Sequence, residues 1–123
     1  MYLSEFLYQE ASGMNYKELD TPALIIDREK MIDNLHFMQD YADRQGVVLR
    51  PHTKTHKMPA IAKLQEQLGA KGITVAKVGE AEVMAQNGLQ DIFIANEIVG
   101  KQKLERIRAL VRSGITISFA LDT

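Results

Sequence analysis

The 123-residue sequence contains no cysteine, which excludes disulfide scaffolds, zinc–thiolate centres, iron–sulfur clusters and cysteine nucleophiles. The same absence suits a reducing compartment. Neither sign of charge is in excess: Lys+Arg number 15 and Asp+Glu 16, a formal net charge of −1. Broad electrostatic attraction to nucleic acid or to an anionic membrane is therefore not expected. No run approaches the ~18–20 apolar residues of a membrane span. The start, Met1-Tyr2-Leu3-Ser4-Glu5-Phe6, lacks the basic-then-apolar pattern of a secretory signal. A cytoplasmic protein is the default expectation. What remains is a chain 46% hydrophobic and 25% charged, ordinary for one globular domain.

Residues 1–20 show no clean hydrophobic period and read as a leader, with Ser12-Gly13 as a break. From Thr21 onward a rhythm sets in. Ala23-Leu24-Ile25-Ile26 reads as a first strand, and Asp27 caps a helix with Met31, Leu35, Met38 and Ala42 on one face, closed by Gly46. Val47-Val48-Leu49 is the next strand. Pro59 opens a second helix carrying Ile61, Leu64 and Leu68, stopped near Gly69. The cycle continues with strand Ile73–Ala76, helix Gly79–Gln86, strand Ile92–Ala95, helix Lys101–Arg112 with Leu104, Ile107 and Val111 inward, and strand Ile115–Ala120.

Strands alternating with helices imply βα units around a parallel sheet. No Gly-x-Gly-x-x-Gly follows the first strand, which argues against a dinucleotide fold. The rhythm matches a (β/α)₈ barrel better, but such a barrel needs about 250 residues. The expected fold is α/β, a partial TIM barrel of about four βα units. Half a barrel leaves open strand edges and an uncovered interior. A piece of a longer protein, or a chain that closes its core on another, is therefore expected; a complete four-stranded open sheet is the alternative.

The chemistry concentrates in Arg50-Pro51-His52-Thr53-Lys54-Thr55-His56-Lys57. It follows a strand, so it lies at the end of the strand where barrel active sites form. Pro51 biases Arg50 toward an extended conformation. If extension persists, His52, Lys54 and His56 share one face, with Thr53 and Thr55 opposite. A lysine in a barrel mouth beside other cationic groups is expected to have a depressed pKa, and a neutral amine is what imine chemistry requires. The same spacing also suits a solvated basic loop. A metal site on His52 and His56 would need a helix that Pro51 opposes, and nucleic-acid binding would need an aromatic that the segment lacks.

This octapeptide after a Val-Val-Leu strand resembles the cofactor-lysine motif of the D-threonine aldolase/D-serine dehydratase family, fold-type III pyridoxal-phosphate enzymes with an alanine-racemase-like barrel. Supporting strings run in the family's order: Leu19-Asp20-Thr21-Pro22-Ala23-Leu24-Ile25-Ile26-Asp27, Thr74-Val75-Ala76-Lys77-Val78-Gly79-Glu80-Ala81-Glu82, and Ile94-Ala95-Asn96-Glu97. Gly79 departs from the Ser more usual there. The resemblance covers about residues 19–123.

The resemblance implies that Lys54 is the Schiff-base lysine of pyridoxal 5′-phosphate and the catalytic residue; His52 is a candidate to sit against the cofactor or orient Lys54, with a supporting or solvated position as the alternative. Residues 1–20 are then a leader and 21–123 the N-terminal part of the cofactor-binding barrel. Its strands are Val47–Arg50, Ile73–Ala76, Ile92–Ala95 and Thr116–Ala120, while the strand at Ala23–Ile26 belongs to a separate β-domain. The implied activity is a lyase on D-3-hydroxy amino acids, D-threonine aldolase-like, with D-serine dehydratase-like and racemase activities as alternatives. A non-catalytic cofactor-binding module is the rival from outside enzymology. A divalent metal is expected in the complete protein, its ligands outside this chain. The fragment alone is expected to be inactive. Expected partners are a D-amino acid and, in the complete protein, a second copy in a dimer, with neither nucleic acid nor membrane. Lys77 and Asn96, each after a strand, are further candidates for the barrel mouth.

Overall fold

The computed structural model describes residues 15–122. The first fourteen residues of the expected leader, including Ser12-Gly13, lie outside the described residues. After a short 3₁₀ turn at Tyr16–Glu18, the elements are α1 (Arg28–Arg44), a second 3₁₀ turn (Thr53–Thr55), α2 (Pro59–Leu68), β1 (Ile73–Val75), α3 (Val78–Gln86), β2 (Asp91–Glu97), α4 (Lys101–Arg112) and β3 (Thr116–Ala120). The helices start and stop where the local chemistry says they should. Asp27 caps α1 by accepting the Lys30 N–H, and Pro59 occupies the first turn of α2, where its missing donor costs nothing.

The strands form a three-stranded sheet in the order β1-β2-β3, all parallel. Register pairs Ile73 with Ile92 and Val75 with Ile94. These side chains share one face by alternation. They form a continuous core with Ala62 of α2, Val78, Ala81 and Met84 of α3, and Ile107 of α4. The other face carries the row Thr74, Phe93 and Ser118. No described helix covers it in that core: Phe93 is half-buried and Ser118 exposed. One-sided packing of a parallel sheet is the geometry of a barrel sector, because in a closed barrel the uncovered face becomes the interior.

Two expected strands are not strands here. Ala23–Ile26 forms no strand: Leu24, Ile25 and Ile26 are exposed and no described strand pairs with them. Val47–Arg50 runs beside β1 without completing a ladder. Leu49 O accepts from Lys71 N–H at 2.9 Å and Pro51 O from Thr74 N–H at 2.7 Å, leaving a single parallel bridge, His52 to Thr74. The reason is Pro51 itself, which has no N–H to return to the neighbouring strand. Packing also departs from the periodic reading at four positions. Met38, Leu104 and Val111 are exposed rather than inward, while Gln39 is buried in α1.

Charge pairing fixes the register at the N-terminal end of the sheet. Arg50 donates to both carboxylate oxygens of Asp91, at 2.8 and 2.9 Å, and to its backbone carbonyl at 3.3 Å. The pair spans 41 residues of sequence and is only partly exposed on both sides. Its bidentate geometry makes it worth more than a surface ion pair. Arg50→Met should therefore cost about 2 kcal/mol, between exposed and buried pair losses, readable as a lower urea midpoint with an unchanged slope. A neutral midpoint would show that the pair contributes nothing net. On the helical layer, Arg106 Nε and Nη2 hold the two oxygens of Glu82 and pin α4 to α3.

Candidate active site

The basic octapeptide does not stay extended. After His52 the chain turns into the 3₁₀ segment Thr53–Thr55, so His52, Lys54 and His56 do not share a strand face. Three local bonds cause the turn. His52 Nδ1 accepts the Lys54 N–H at 3.2 Å, Lys57 N–H donates to Thr53 O at 2.7 Å, and the buried Thr53 hydroxyl donates to Thr74 O at 3.1 Å. Thr53 is thereby a plug that fastens the loop to β1. The sequence reading placed it merely opposite Lys54.

Lys54 is exposed, just beyond the His52–Thr74 bridge and so at the C-terminal end of the sheet. Among the described residues it has no ion-pair partner. Lys57 differs: its ammonium lies 3.6 Å from Glu80 Oε1, and its backbone has φ +54°. Glu80 also accepts the Ala76 N–H through Oε2 at 2.7 Å. Of the two lysines in the motif, the structure leaves the first amine unengaged and occupies the second.

The two histidines part company. His52 is half-buried and, because Nδ1 accepts the Lys54 amide, its neutral ring carries the proton on Nε2. The bridge pairs His52 with Thr74 along the row that continues through Phe93 and Ser118, and the residue lines a cavity with Leu35 and Gln39 of α1 and Gln65 of α2. His56 lines a different cavity, with Ile25, Ile61 and Gln65. Its Nδ1 accepts the Met58 N–H at 3.0 Å, and its buried Nε2 has no partner among the described residues. Burial lowers the His56 pKa below the ordinary imidazole value.

That shift has a signed consequence. A histidine held neutral by the fold contributes stability above its unfolded pKa of about 6.5 and loses it as pH falls through the lower folded value. Stability should fall on acidification below about pH 6.5, and His56→Gln should flatten that limb in chemical denaturation. An identical pH slope in the variant would remove His56 from the account. Glu82, held low chiefly by its bond from Arg106, acts further down, its contribution being lost as pH falls from the ordinary carboxylate pKa through the lower folded value.

Lys77 and Asn96 close the surroundings. Lys77 is exposed at the start of α3 and lines a cavity of about 380 Å³ with Thr53, Lys57, Gly79 and Glu80. Asn96 Nδ2 donates to Ala76 O at 3.3 Å, tying the end of β2 to the end of β1. Glu97 is exposed, beside a register break between β2 and β3.

Comparison with known proteins places this geometry. Residues 26–119 match the family described as "Alanine racemase, N-terminal domain". The chain is 49% identical over 94 residues to a D-threonine aldolase of Arthrobacter sp., covering 76% of this chain and 25% of that protein. It is 40% identical over 105 residues to the D-threo-3-hydroxyaspartate dehydratase of Delftia sp. strain HT23, covering 85% and 27%. The crystal structure of D-threonine aldolase from Filomicrobium marinum superimposes with a TM-score of 0.82 at 45% identity, covering 85% of this chain and 28% of that one. The chain thus spans about a quarter of the length of the curated relatives it matches.

Proposed function

This chain belongs to the alanine racemase N-terminal domain family, and from that premise we propose that it carries the lysine end of the active site of a pyridoxal-phosphate-dependent lyase acting on D-3-hydroxy amino acids. The observation that carries the reading is Lys54: an exposed amine without an ion-pair partner among the described residues, on a turn pinned at the C-terminal end of a parallel sheet. Pyridoxal phosphate, when bound, supplies an aldehyde for a lysine amine and a conjugated ring that withdraws electrons from bonds to the substrate's α-carbon.

The residues present fit that group. Lys54 Nζ is the nucleophile for the aldehyde, and once released it accepts or returns a proton at the substrate α-carbon. His52 holds the Lys54 backbone through Nδ1, which accepts the Lys54 N–H. Thr53 keeps the turn from drifting away from β1. The phosphate cup, the divalent metal and its ligands are assigned to parts of the complete protein beyond these residues, as is assembly into a dimer. The 123-residue chain by itself is accordingly expected to show no turnover.

The favoured reaction is retro-aldol cleavage, which breaks the Cα–Cβ bond of D-threonine to give glycine and acetaldehyde. The relative from Delftia favours a second reading, loss of the β-hydroxyl followed by release of a 2-oxo acid and ammonia. Assaying the complete protein with D-threonine and D-threo-3-hydroxyaspartate separates the two by product. Aldehyde plus glycine supports the aldolase and ammonia the dehydratase. Inversion at Cα with neither product would put a racemase in their place.

A further inference from the structure

We propose that Glu80 is the positioning residue that selects Lys54 over Lys57 as the reactive amine, an inference that rests on the reading of Lys54 given above. Glu80 sits in the first turn of α3, where the helix N-terminus favours a carboxylate. Its side chain is only 12% exposed, against 63% for Lys57. One oxygen takes the Ala76 N–H where β1 ends, and the other faces the Lys57 ammonium. A single carboxylate therefore joins the exit of β1 to the far end of the loop that carries Lys54.

The near end of that loop is already fixed, by Thr53 Oγ1 to Thr74 O. The far end is held in a conformation it would not choose. Lys57 has φ +54°, a left-handed backbone that costs a residue with a Cβ roughly 1 kcal/mol. Such a conformation persists only where surrounding contacts enforce it. Two contacts do so here: the Lys57 N–H bond to Thr53 O and the Lys57–Glu80 pair. Together they clamp Thr53 and Lys57 on either side of Lys54 and set where its side chain leaves the backbone. They also occupy the competing amine three positions along. An amine held against a carboxylate must leave that contact before it can approach an aldehyde.

The test uses Glu80→Gln, whose amide oxygen can still accept the Ala76 N–H while the ion pair is lost, and Lys57→Met, which keeps the stem and removes the charge. Hydrogen exchange needs no cofactor. In both variants the Lys57 amide, bonded to Thr53 O, should exchange about tenfold faster, the scale of one lost charge-assisted contact, with α4 and β2 unchanged. Trapping with pyridoxal 5′-phosphate and borohydride supplies the second readout. In Glu80→Gln the adduct should shift from Lys54 toward Lys57, by about tenfold in their ratio, and Lys57→Arg should restore protected exchange. Unchanged Lys57 exchange in both variants, or an unchanged Lys54-to-Lys57 ratio in Glu80→Gln, would overturn the proposal. If Glu80→Gln unfolds, Lys57→Met exchange decides it. If the unsubstituted chain forms no Lys54 adduct, the lyase reading loses its support, while the exchange data still judge the clamp.

Discussion

Gly72→Ala should destabilise the fold by at least about 3 kcal/mol, at the top of the usual range for single substitutions. A Cβ built on Gly72 falls 2.3 Å from Asp91 O, 2.7 Å from Arg50 Nη1 and 2.8 Å from Asp91 Cβ. Two of those three atoms belong to β2 itself, so no flexible side chain can simply swing clear. The residue also has φ +74°, which adds strain for any side chain. The register of β1 against β2 leaves Gly72 opposite Asp91, and Arg50 reaches across it to pair with that residue. Only a hydrogen on Gly72 leaves room for that pair. At about 4 °C per kcal/mol, the scale between those of smaller and larger domains, the melting temperature should drop by about 12 °C. Gly46→Ala is the control: its φ is +66° but nothing lies within 4 Å of its Cβ, so it should lose only about 1 kcal/mol from strain. Equal losses in the two variants would refute the crowding at Gly72.

Lys54→Ala should have the opposite profile, with full loss of chemistry and almost none of stability. The residue is exposed and without an ion-pair partner among the described residues. Removing its side chain should therefore move stability by less than about 0.5 kcal/mol. Adduct formation with pyridoxal 5′-phosphate at this position should vanish, and in the complete protein turnover should fall by more than about a hundredfold. Lys54→Arg should be as inactive as Lys54→Ala, because a guanidinium stays protonated and cannot attack an aldehyde. Arg activity near that of the unsubstituted protein would mean that Lys54 serves only as a positive charge.

The helical layer was legible in the sequence because its signals are local. Asp27, Pro59 and the Asn87-Gly88 stop mark helix boundaries within a residue or two of where they occur, and the bounds of α4 coincide with the expectation. The sheet was legible in order and direction, since short apolar runs between helices admit little else. Val47–Arg50 was overcalled as a strand. Pro51 biases Arg50 toward extension, which favours a strand, yet the same ring removes the donor that the ladder needs. Pairing across the sheet was out of reach. Arg50 with Asp91 and Lys57 with Glu80 are separated by 41 and 23 residues, and both depend on a register that composition does not encode. The candidate site shows the same division. The octapeptide marked Lys54 and His52, but the turn at Thr53 and the divergence of His56 arise from hydrogen bonds to β1 and from packing on α2, which no local pattern announces.

The central claim is that Lys54 is the amine built to receive an aldehyde cofactor. Incubating the purified chain with pyridoxal 5′-phosphate, reducing with borohydride and mapping the label by peptide mass tests it directly. The account predicts label concentrated on Lys54, with Lys57 protected and the remaining exposed lysines at background. Label spread evenly over the lysines, or concentrated on Lys57, would contradict it.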